Sequence, residues 1–275
     1  MSHRFSPLIA ALGLAAALPA AADSTLEYIV TEAPATAGKP QPVLIKDGRV
    51  MVKGAGGDSK LDVLYTRDDE SLFIIDHRKH SFMTLDQQQL ARFGRQAEAL
   101  QPLLQGFGEQ LGKLPPEQRA KWEQMLGGNV SLDQIAEAAK PAESASVVRT
   151  GTARNVGGID CEQMNLFQGK SKTGDFCLAD PKRLNLSGDD YATLRSLLNF
   201  SEKLAGTTQG LAGQFGIKLP NIRVQELSGV PVEMREFSNR GQSSMTLNRI
   251  VTSAVAADLM RIPDGYRSEP LTPLQ

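Results

Sequence analysis

The side chains best suited to chemistry in this sequence are two histidines and two cysteines. Apart from His3, the histidines are His77 and His80, which lie in one short segment, and the two cysteines are Cys161 and Cys177. A Ser-His-Asp or Cys-His arrangement needs an orienting partner for its histidine, and neither histidine has an evident one. The histidine pair lacks the further ligands that a metal site needs, so a solvated basic turn is the favoured interpretation.

Other motifs of catalytic or cofactor sites are missing from the sequence. It contains no His-Glu-x-x-His, Ser-x-x-Lys or Gly-x-Ser-x-Gly, and no phosphate or calcium loop. The segment 106–112 resembles a dinucleotide fingerprint, but its glycine spacing is wrong and no βαβ pattern surrounds it. We therefore expect a protein that is not an enzyme, with no cofactor and no metal.

The cysteines are spaced symmetrically about Gly169, which predicts a disulfide across an antiparallel hairpin. With Cys161 opposite Cys177, the loop would be Gln168-Gly169-Lys170, and glycine accepts the positive φ that such loops need. Two free buried thiols are the alternative. A redox-active pair is disfavoured because the Cys-x-x-Cys spacing is absent.

Alternation along this hairpin predicts two different faces. The apolar face would consist of four residues, Met164, Leu166, Phe176 and Leu178. The other, more polar face would hold both cysteines with Gln163, Asn165, Thr173 and Asp175. We therefore expect the sulfur atoms to lie away from the apolar side, with a stabilising role.

The N-terminal residues 1–22 have the pattern of a signal peptide. His3 and Arg4 precede an apolar run from Leu8 to Leu18 that is too short to span a bilayer. Small residues end this segment, which predicts cleavage between Ala22 and Asp23. The residue at the cleavage point is Asp23 and not a cysteine, so no lipid anchor on cysteine is expected. The mature chain, 23–275, is predicted to be an exported, periplasmic protein without an integral membrane segment.

The charge of the chain is nearly balanced. It has 30 Lys and Arg residues, of which only Arg4 lies in the signal peptide, against 31 Asp and Glu residues. This balance gives no electrostatic reason to expect nucleic acid as a partner.

The first part of the mature chain alternates with the period of β-strands. Residues 25–31 predict a half-buried strand, and Asp47-Gly48 predicts a tight turn in a hairpin over 43–53. The following strands, 72–76 and 81–85, are apolar on both faces. Such strands must be covered on both sides or must line a hydrophobic cavity.

Two segments change to a helical period, and we treat them as insertions at about 87–140 and 187–220. Pro102 and several glycines argue against one rigid helix in the first insertion. In the second, Ser187 or Asp189 would cap a helix, and the glycine-rich part from Gly206 to Gly216 is a candidate mobile lid. A packed surface loop is the alternative for that part.

These elements predict one α+β domain over 23–275. It would contain about eleven antiparallel strands in a large curved sheet, with the helices on one face.

The pattern resembles an uncharacterised family of exported bacterial proteins. Besides the signal peptide and the first hairpin, the residues that carry the resemblance are Ile75-Asp76, Phe82-Met83-Thr84-Leu85-Asp86, Leu114-Pro115-Pro116-Glu117-Gln118-Arg119, Gly151, Gly158, Cys161, Cys177-Leu178-Ala179-Asp180-Pro181 and Ile262-Pro263-Asp264-Gly265-Tyr266. More distantly, the strand number and helix placement are similar to those of the LolA/LolB group of periplasmic lipoprotein carriers. That resemblance implies a half-barrel whose apolar concave face is covered by helices.

The resemblance implies a hydrophobic cavity able to take acyl chains. Its candidate lining consists of apolar residues from the two-faced strands, the helices and the cysteine hairpin: Ile74, Met83, Leu85, Leu90, Phe93, Met164, Leu166, Phe176, Leu194 and Leu198. We therefore expect a carrier of a lipid, a lipoprotein or another hydrophobic ligand. The alternative is a structural or protein-interaction module of the cell envelope with a filled core. A third option, a hydrolase, would need a polar cluster around His77 or His80 within a cleft. The sequence leaves the oligomeric state open.

Overall fold

The computed structural model describes residues 23–35, 37–92, 94–95, 115, 118, 145–207, 228–238 and 241–270. The predicted signal peptide, most of the first helical insertion and Phe93 lie outside this part of the chain. So does the candidate lid, apart from its first two residues, which end a helix.

The described strands form one open antiparallel sheet of twelve strands, close to the predicted eleven. They are β1 (Ser24–Thr31), β2 (Lys39–Lys46), β3 (Arg49–Val52), β4 (Leu61–Thr66), β5 (Ser71–Asp76), β6 (Ser81–Leu85), β7 (Ala145–Val156), β8 (Ile159–Gln168), β9 (Ser171–Ala179), β10 (Val230–Ser238), β11 (Gly241–Thr252) and β12 (Arg267–Glu269). The spatial order of the described strands is β12-β6-β5-β4-β3-β2-β1-β11-β10-β9-β8-β7, and among them only β12 and β6 pair in parallel. The fold is α+β, a large curved half-barrel-like sheet with helical additions, as predicted.

Strand β1 lies in the middle of this sheet. It pairs with β2 on one side and with β11 on the other. It therefore joins an N-terminal half, β2–β6 with β12, to a C-terminal half, β7–β11.

The helical elements are few in the described part of the chain. Helix α1 spans Gly188–Thr207, and residues 87–92 and 94–95 are also helical. Short 3-10 turns occur at Ala55–Gly57, Pro181–Leu184 and Ala257–Met260. Ser187 is the N-cap of α1, because its hydroxyl accepts a hydrogen bond from the Asp190 backbone N–H at 3.0 Å.

The first hairpin has the predicted register. Asp47 and Gly48 both have positive φ, 46° and 70°, as a tight two-residue turn requires. Val43 consequently faces Val52, and Ile45 faces Val50. All four side chains point to the same face, where they join the large core that lies beneath α1.

Strands β5 and β6 are covered on both faces, as their composition predicted. Leu72, Ile74 and Leu85 belong to the large core beneath α1, which we call the helix-side core. Ile75 belongs to a second core on the opposite face, which we call the tail-side core. The cover of the second face is the C-terminal tail, residues 255–269, whose Met260 is fully buried there.

The disulfide between Cys161 and Cys177 is present, with Cα atoms 5.4 Å apart, but the predicted register of its hairpin is wrong. Gln163, not Cys161, lies opposite Cys177, and the pairing shifts by one residue between Leu166 and Phe167. The loop is therefore Gly169-Lys170, with Gly169 at φ 58°. The extra residue of a bulge near the loop breaks the symmetry on which the prediction rested.

The predicted environment of the sulfur atoms is also wrong. Cys161 is 6% exposed and Cys177 is 0% exposed, and both belong to the helix-side core. Met164, Phe176 and Leu178 do share the other face of the hairpin, where they form a separate small cluster that we call the hairpin core. Both faces of this hairpin are therefore buried.

The polar residues of the cysteine face explain this error. Asp175 is buried there, and its carboxylate accepts hydrogen bonds from Arg235 at 2.6 Å and Lys172 at 2.8 Å. Burial raises the pKa of this carboxyl, but the two cationic partners outweigh burial and hold its pKa below the usual value. An aspartate that is neutralised by cationic partners, one of them as far along the chain as Arg235, can face a core, although its residue type suggests solvent.

Candidate functional site

The layer between α1 and the sheet is the candidate ligand site implied by the resemblance. Phe200 of α1 packs against Tyr65 of β4, with ring centroids 5.6 Å apart and both side chains fully buried. The Tyr65 hydroxyl is 2.7 Å from the Ser196 hydroxyl, so the tyrosine also satisfies its polar end against the helix. The packing of these two rings thus holds helix α1 against the N-terminal half of the sheet.

Polar contacts fasten the N-terminal end of α1. Arg67 donates to the Asp189 carboxylate at 2.8 Å and to the Thr193 hydroxyl at 3.1 Å. Ser24 of β1 donates to the Asp190 carboxylate at 2.6 Å. Burial raises the pKa of Asp190, because the charged form of the carboxyl loses its water there.

The predicted lining residues do not come together at one site. Ile74, Leu85 and Leu90 are buried in the helix-side core, and Met83 and Leu194 pack against it. The hairpin residues of the list do not share this core: Met164, Leu166 and Phe176 lie in the hairpin core, on the other face of the cysteine hairpin.

Leu198 and Phe93 complete the predicted lining. Leu198 is half-buried and belongs to none of the three cores, whereas its neighbour Leu197 packs against the helix-side core. Phe93 lies outside the described residues. The most buried apolar residues of the helix are Phe200 and Leu204, which belong to the helix-side core.

The helix-side core has a partly exposed apolar margin. Several side chains pack against this core and yet keep some contact with solvent: Val43, Val52, Ala55, Met83, Ile159, Tyr191, Leu194, Leu197, Met245 and Ile250. They come from strands of both halves of the sheet and from α1. Exposed apolar surface next to a helix is where an apolar ligand could gain contacts.

A polar cluster around His77 was missed by the sequence analysis. His77 Nε2 is 2.8 Å from the Asp62 carboxylate, and His77 Nδ1 is 2.8 Å from the Tyr266 hydroxyl. Lys53 donates to the same Asp62 oxygen at 2.7 Å, and the Gly54 N–H donates to the other oxygen at 3.1 Å. The available signal was Tyr266 in the closing Ile-Pro-x-Gly-Tyr segment, but no local pattern links it to residue 77.

Asp62, His77 and Tyr266 form a hydrogen-bonded series of a carboxylate, an imidazole and a hydroxyl, which is the order of groups found in general acid-base sites. Burial raises the pKa of Asp62, but the hydrogen bonds from Lys53, His77 and Gly54 outweigh burial and hold its pKa below the usual value. The Asp62 carboxylate is already neutralised by an ion pair with Lys53 at 2.7 Å. The Tyr266 ring packs against the tail-side core, so this hydrogen-bonded series holds the C-terminal tail on the sheet.

A polar depression of about 580 Å³ lies beside the β4–β5 turn. It is lined by residues 67–71 and 86–88, most of which are charged or amide side chains. Within it, Glu70 accepts hydrogen bonds from Lys203 at 2.8 Å and Gln87 at 2.5 Å. Its polar lining does not suit the hydrophobic ligand expected from the sequence.

Comparison with known proteins gives no family for this chain. No protein-family model matches it, and no curated protein matches it. Among solved structures, an uncharacterized conserved protein from Thermus thermophilus is 5% identical, with a TM-score of 0.42 and 91% of each chain covered. PNGF-II is 7% identical, with a TM-score of 0.40, and the match covers 91% of this chain but 31% of PNGF-II. Likenesses this distant carry no information about activity.

No helix among the described residues is both long enough and apolar enough to cross a membrane.

Proposed function

We propose that the protein is a non-catalytic periplasmic protein that binds a hydrophobic ligand, such as a lipid or the acyl chains of a lipoprotein, beside helix α1. The observation that carries this proposal is the partly exposed apolar margin of the helix-side core. A ligand that covered this margin would remove apolar surface from water, at a gain of roughly 25 cal/mol per Å².

Two features support the location. The N-terminal pattern predicts export, and the disulfide between Cys161 and Cys177 suits an oxidising compartment. The similarity to the lipoprotein-carrier group supports the ligand class, because those proteins hold acyl chains between a curved sheet and its helices.

The first test is native mass spectrometry of the protein purified from the periplasm of its own host, together with titration of a fluorescent fatty-acid probe. We expect a co-purifying lipid and saturable uptake of the probe. Absence of both would contradict the proposal.

A pair of variants tests the position of the ligand. Leu194 lies at the apolar margin, whereas Leu259 is exposed on the tail and lies apart from the helix-side core. We expect Leu194→Glu to weaken probe binding at least tenfold, because a carboxylate would then have to lose water beside an apolar ligand. Leu259→Glu is the matched control and should bind the probe like the wild type. Equal binding by both variants would place the ligand elsewhere.

The second candidate is a structural or protein-interaction module of the envelope without a ligand. The packing of Tyr65 against Phe200 favours this candidate. Both rings are completely buried by the protein's own residues, which is typical of a filled core. In that case the probe should not bind, and crosslinking in whole cells should instead recover a defined envelope protein.

A further inference from the structure

The residues that follow the predicted signal-peptidase site are buried in the sheet. Asp23, the first residue of the predicted mature chain, is 9% exposed, and Ser24 is 1% exposed. Strand β1 begins at Ser24, with no intervening loop.

Both residues are held by partners from several elements. The Asp23 carboxylate accepts hydrogen bonds from Lys46 and from the Val255 N–H, each at 2.7 Å. The Asp23 carbonyl accepts from the Ser253 N–H at 3.2 Å. Ser24 is paired with β2 and β11 through its backbone and with Asp190 through its hydroxyl.

A peptidase hydrolyses the Ala22–Asp23 bond with one water molecule, which leaves a carboxyl group on Ala22 and an amino group on Asp23. To reach this bond it must hold the residues on both sides in an extended form that is free of other backbone partners. In the folded chain Asp23 and Ser24 do not meet this condition, because their hydrogen bonds are already made with the sheet. Loop segments, by contrast, are the usual sites of cleavage in folded proteins.

We infer that the signal peptide can be removed only while the start of β1 is outside the sheet, so that cleavage and the folded pairing of these residues exclude each other. This inference rests on the proposed export of the protein. The position of β1 strengthens it, since its first residues are paired with strands on both sides and opening them must break contacts with β2 and with β11. A chain that folds before it is cut would keep its signal peptide.

The Asp23 carboxylate holds the residues after the Ala22–Asp23 bond in the sheet, through its hydrogen bonds with Lys46 and Val255. Asp23→Ala removes the acceptor of two hydrogen bonds, of which the one from Lys46 is charge-assisted, and so should let the start of β1 open more often. The matched control is Asp47→Asn, because the Asp47 carboxylate is 3.8 Å from the same Lys46 nitrogen but is exposed. Asparagine also keeps the positive φ of the β2–β3 turn.

The test uses the full chain, 1–275, in detergent with purified bacterial signal peptidase. Each variant is supplied either folded, with its disulfide formed, or freshly diluted from denaturant, and the products are identified by mass. For each variant the cleavage rate of the unfolded chain is divided by that of the folded chain. This ratio cancels any preference of the peptidase for the residue at position 23.

We expect the unfolded wild-type chain to be cut after Ala22 and the folded chain to be cut at least a hundredfold more slowly. In the Asp23→Ala variant this ratio should fall about tenfold, the size expected for the loss of charge-assisted hydrogen bonds. The Asp47→Asn variant should behave like the wild type. A thermal melt confirms that each variant is folded before it is tested.

Similar cleavage rates for folded and unfolded wild-type chains would overturn the inference and leave the proposed export intact. Failure of even the unfolded chain to be cut after Ala22 would instead remove the predicted cleavage site, and the inference with it. An unchanged ratio in the Asp23→Ala variant would show that the Asp23 carboxylate does not hold these residues in the sheet.

Discussion

Both halves of the sheet contain a hairpin that is buried on both faces, but the two halves are stabilised by different means. In the N-terminal half, helix α1 covers one face and the C-terminal tail covers the other, so non-covalent packing holds β2–β6 in place. In the C-terminal half, the cysteine hairpin is crosslinked by its disulfide, and the buried Asp175 is neutralised by Arg235 and Lys172.

The comparison shows which sequence patterns determine strand register. Asp47-Gly48 allows one tight turn, so the pairing of the first hairpin follows from the turn. The loop at Gly169 is less restrictive, and the bulge beside it shifts the pairing by one residue. The prediction still grouped the residues correctly into two faces. The predicted and observed pairings differ by two residues along most of the hairpin, and a shift of two returns each side chain to the same face.

The largest effect is expected from Phe200→Ala, which tests whether packing on α1 stabilises the N-terminal half. Phe200 is fully buried against Tyr65, so its removal should lower the free energy of unfolding by about 3–5 kcal/mol. Urea denaturation measures this loss. Leu198→Ala, on the same helix but outside the three cores, is the control and should cost less than half as much.

The next effect concerns the covalent crosslink of the C-terminal half. Reducing the disulfide between Cys161 and Cys177 should lower the free energy of unfolding by about 3 kcal/mol, since the bond closes a loop of 16 residues. Because both sulfur atoms lie in the helix-side core, reduction without mutation should cost less than the double substitution, which also leaves a cavity. Equal losses would mean that the sulfur atoms contribute nothing by packing.

A smaller effect is expected at the polar cluster on the tail side of the N-terminal half. Asp62→Asn removes the charge from a buried carboxylate with three donors and should cost about 2 kcal/mol at neutral pH. The folded-state pKa of Asp62 lies below the unfolded value of about 3.9, so its stabilisation is complete above that pH and is lost as the pH falls through the folded-state pKa.

Unfolding curves of the wild type and the Asp62→Asn variant between neutral pH and pH 2 measure this dependence. The two proteins should converge only at the acidic end. The exposed Asp264→Asn should follow the wild type throughout. A constant difference between wild type and Asp62→Asn would show that the charge of Asp62 is not the stabilising feature.

The smallest effect is expected from Tyr266→Phe, which keeps the ring in the tail-side core and removes only its hydrogen bond to His77. The loss should be about 1 kcal/mol. Hydrogen exchange should show faster opening at the Arg267 N–H, which donates to the His80 carbonyl where the tail joins β6. Unchanged exchange there would mean that the His77-Tyr266 contact does not fasten the tail.

Much of the local structure could be predicted from the sequence. The strand β1, the first hairpin with its register, the two-faced strands β5 and β6, the disulfide and the start of α1 all follow from short patterns of polarity, turn residues and caps. These features depend on residues that are at most 16 positions apart in the chain, a range over which the periodicity of a strand or helix restricts the geometry.

The candidate site could not be predicted in the same way. The proposed lining placed Met164 and Phe176 with Ile74, although they lie in different cores, because polarity alone does not say which face of a hairpin meets α1. The Asp62-His77-Tyr266 chain depends on a contact between residues 189 positions apart.

The sequence by itself thus determined that the chain forms an α+β sheet with a disulfide-linked hairpin and with strands that need two covers. Only the tertiary structure decided what those covers are, where the sulfur atoms lie, and that the first residues after the predicted signal peptide are enclosed by the centre of the sheet. The physical reason is that alternation and turn chemistry act within one hairpin, whereas burial depends on which distant segment supplies the other side of each core.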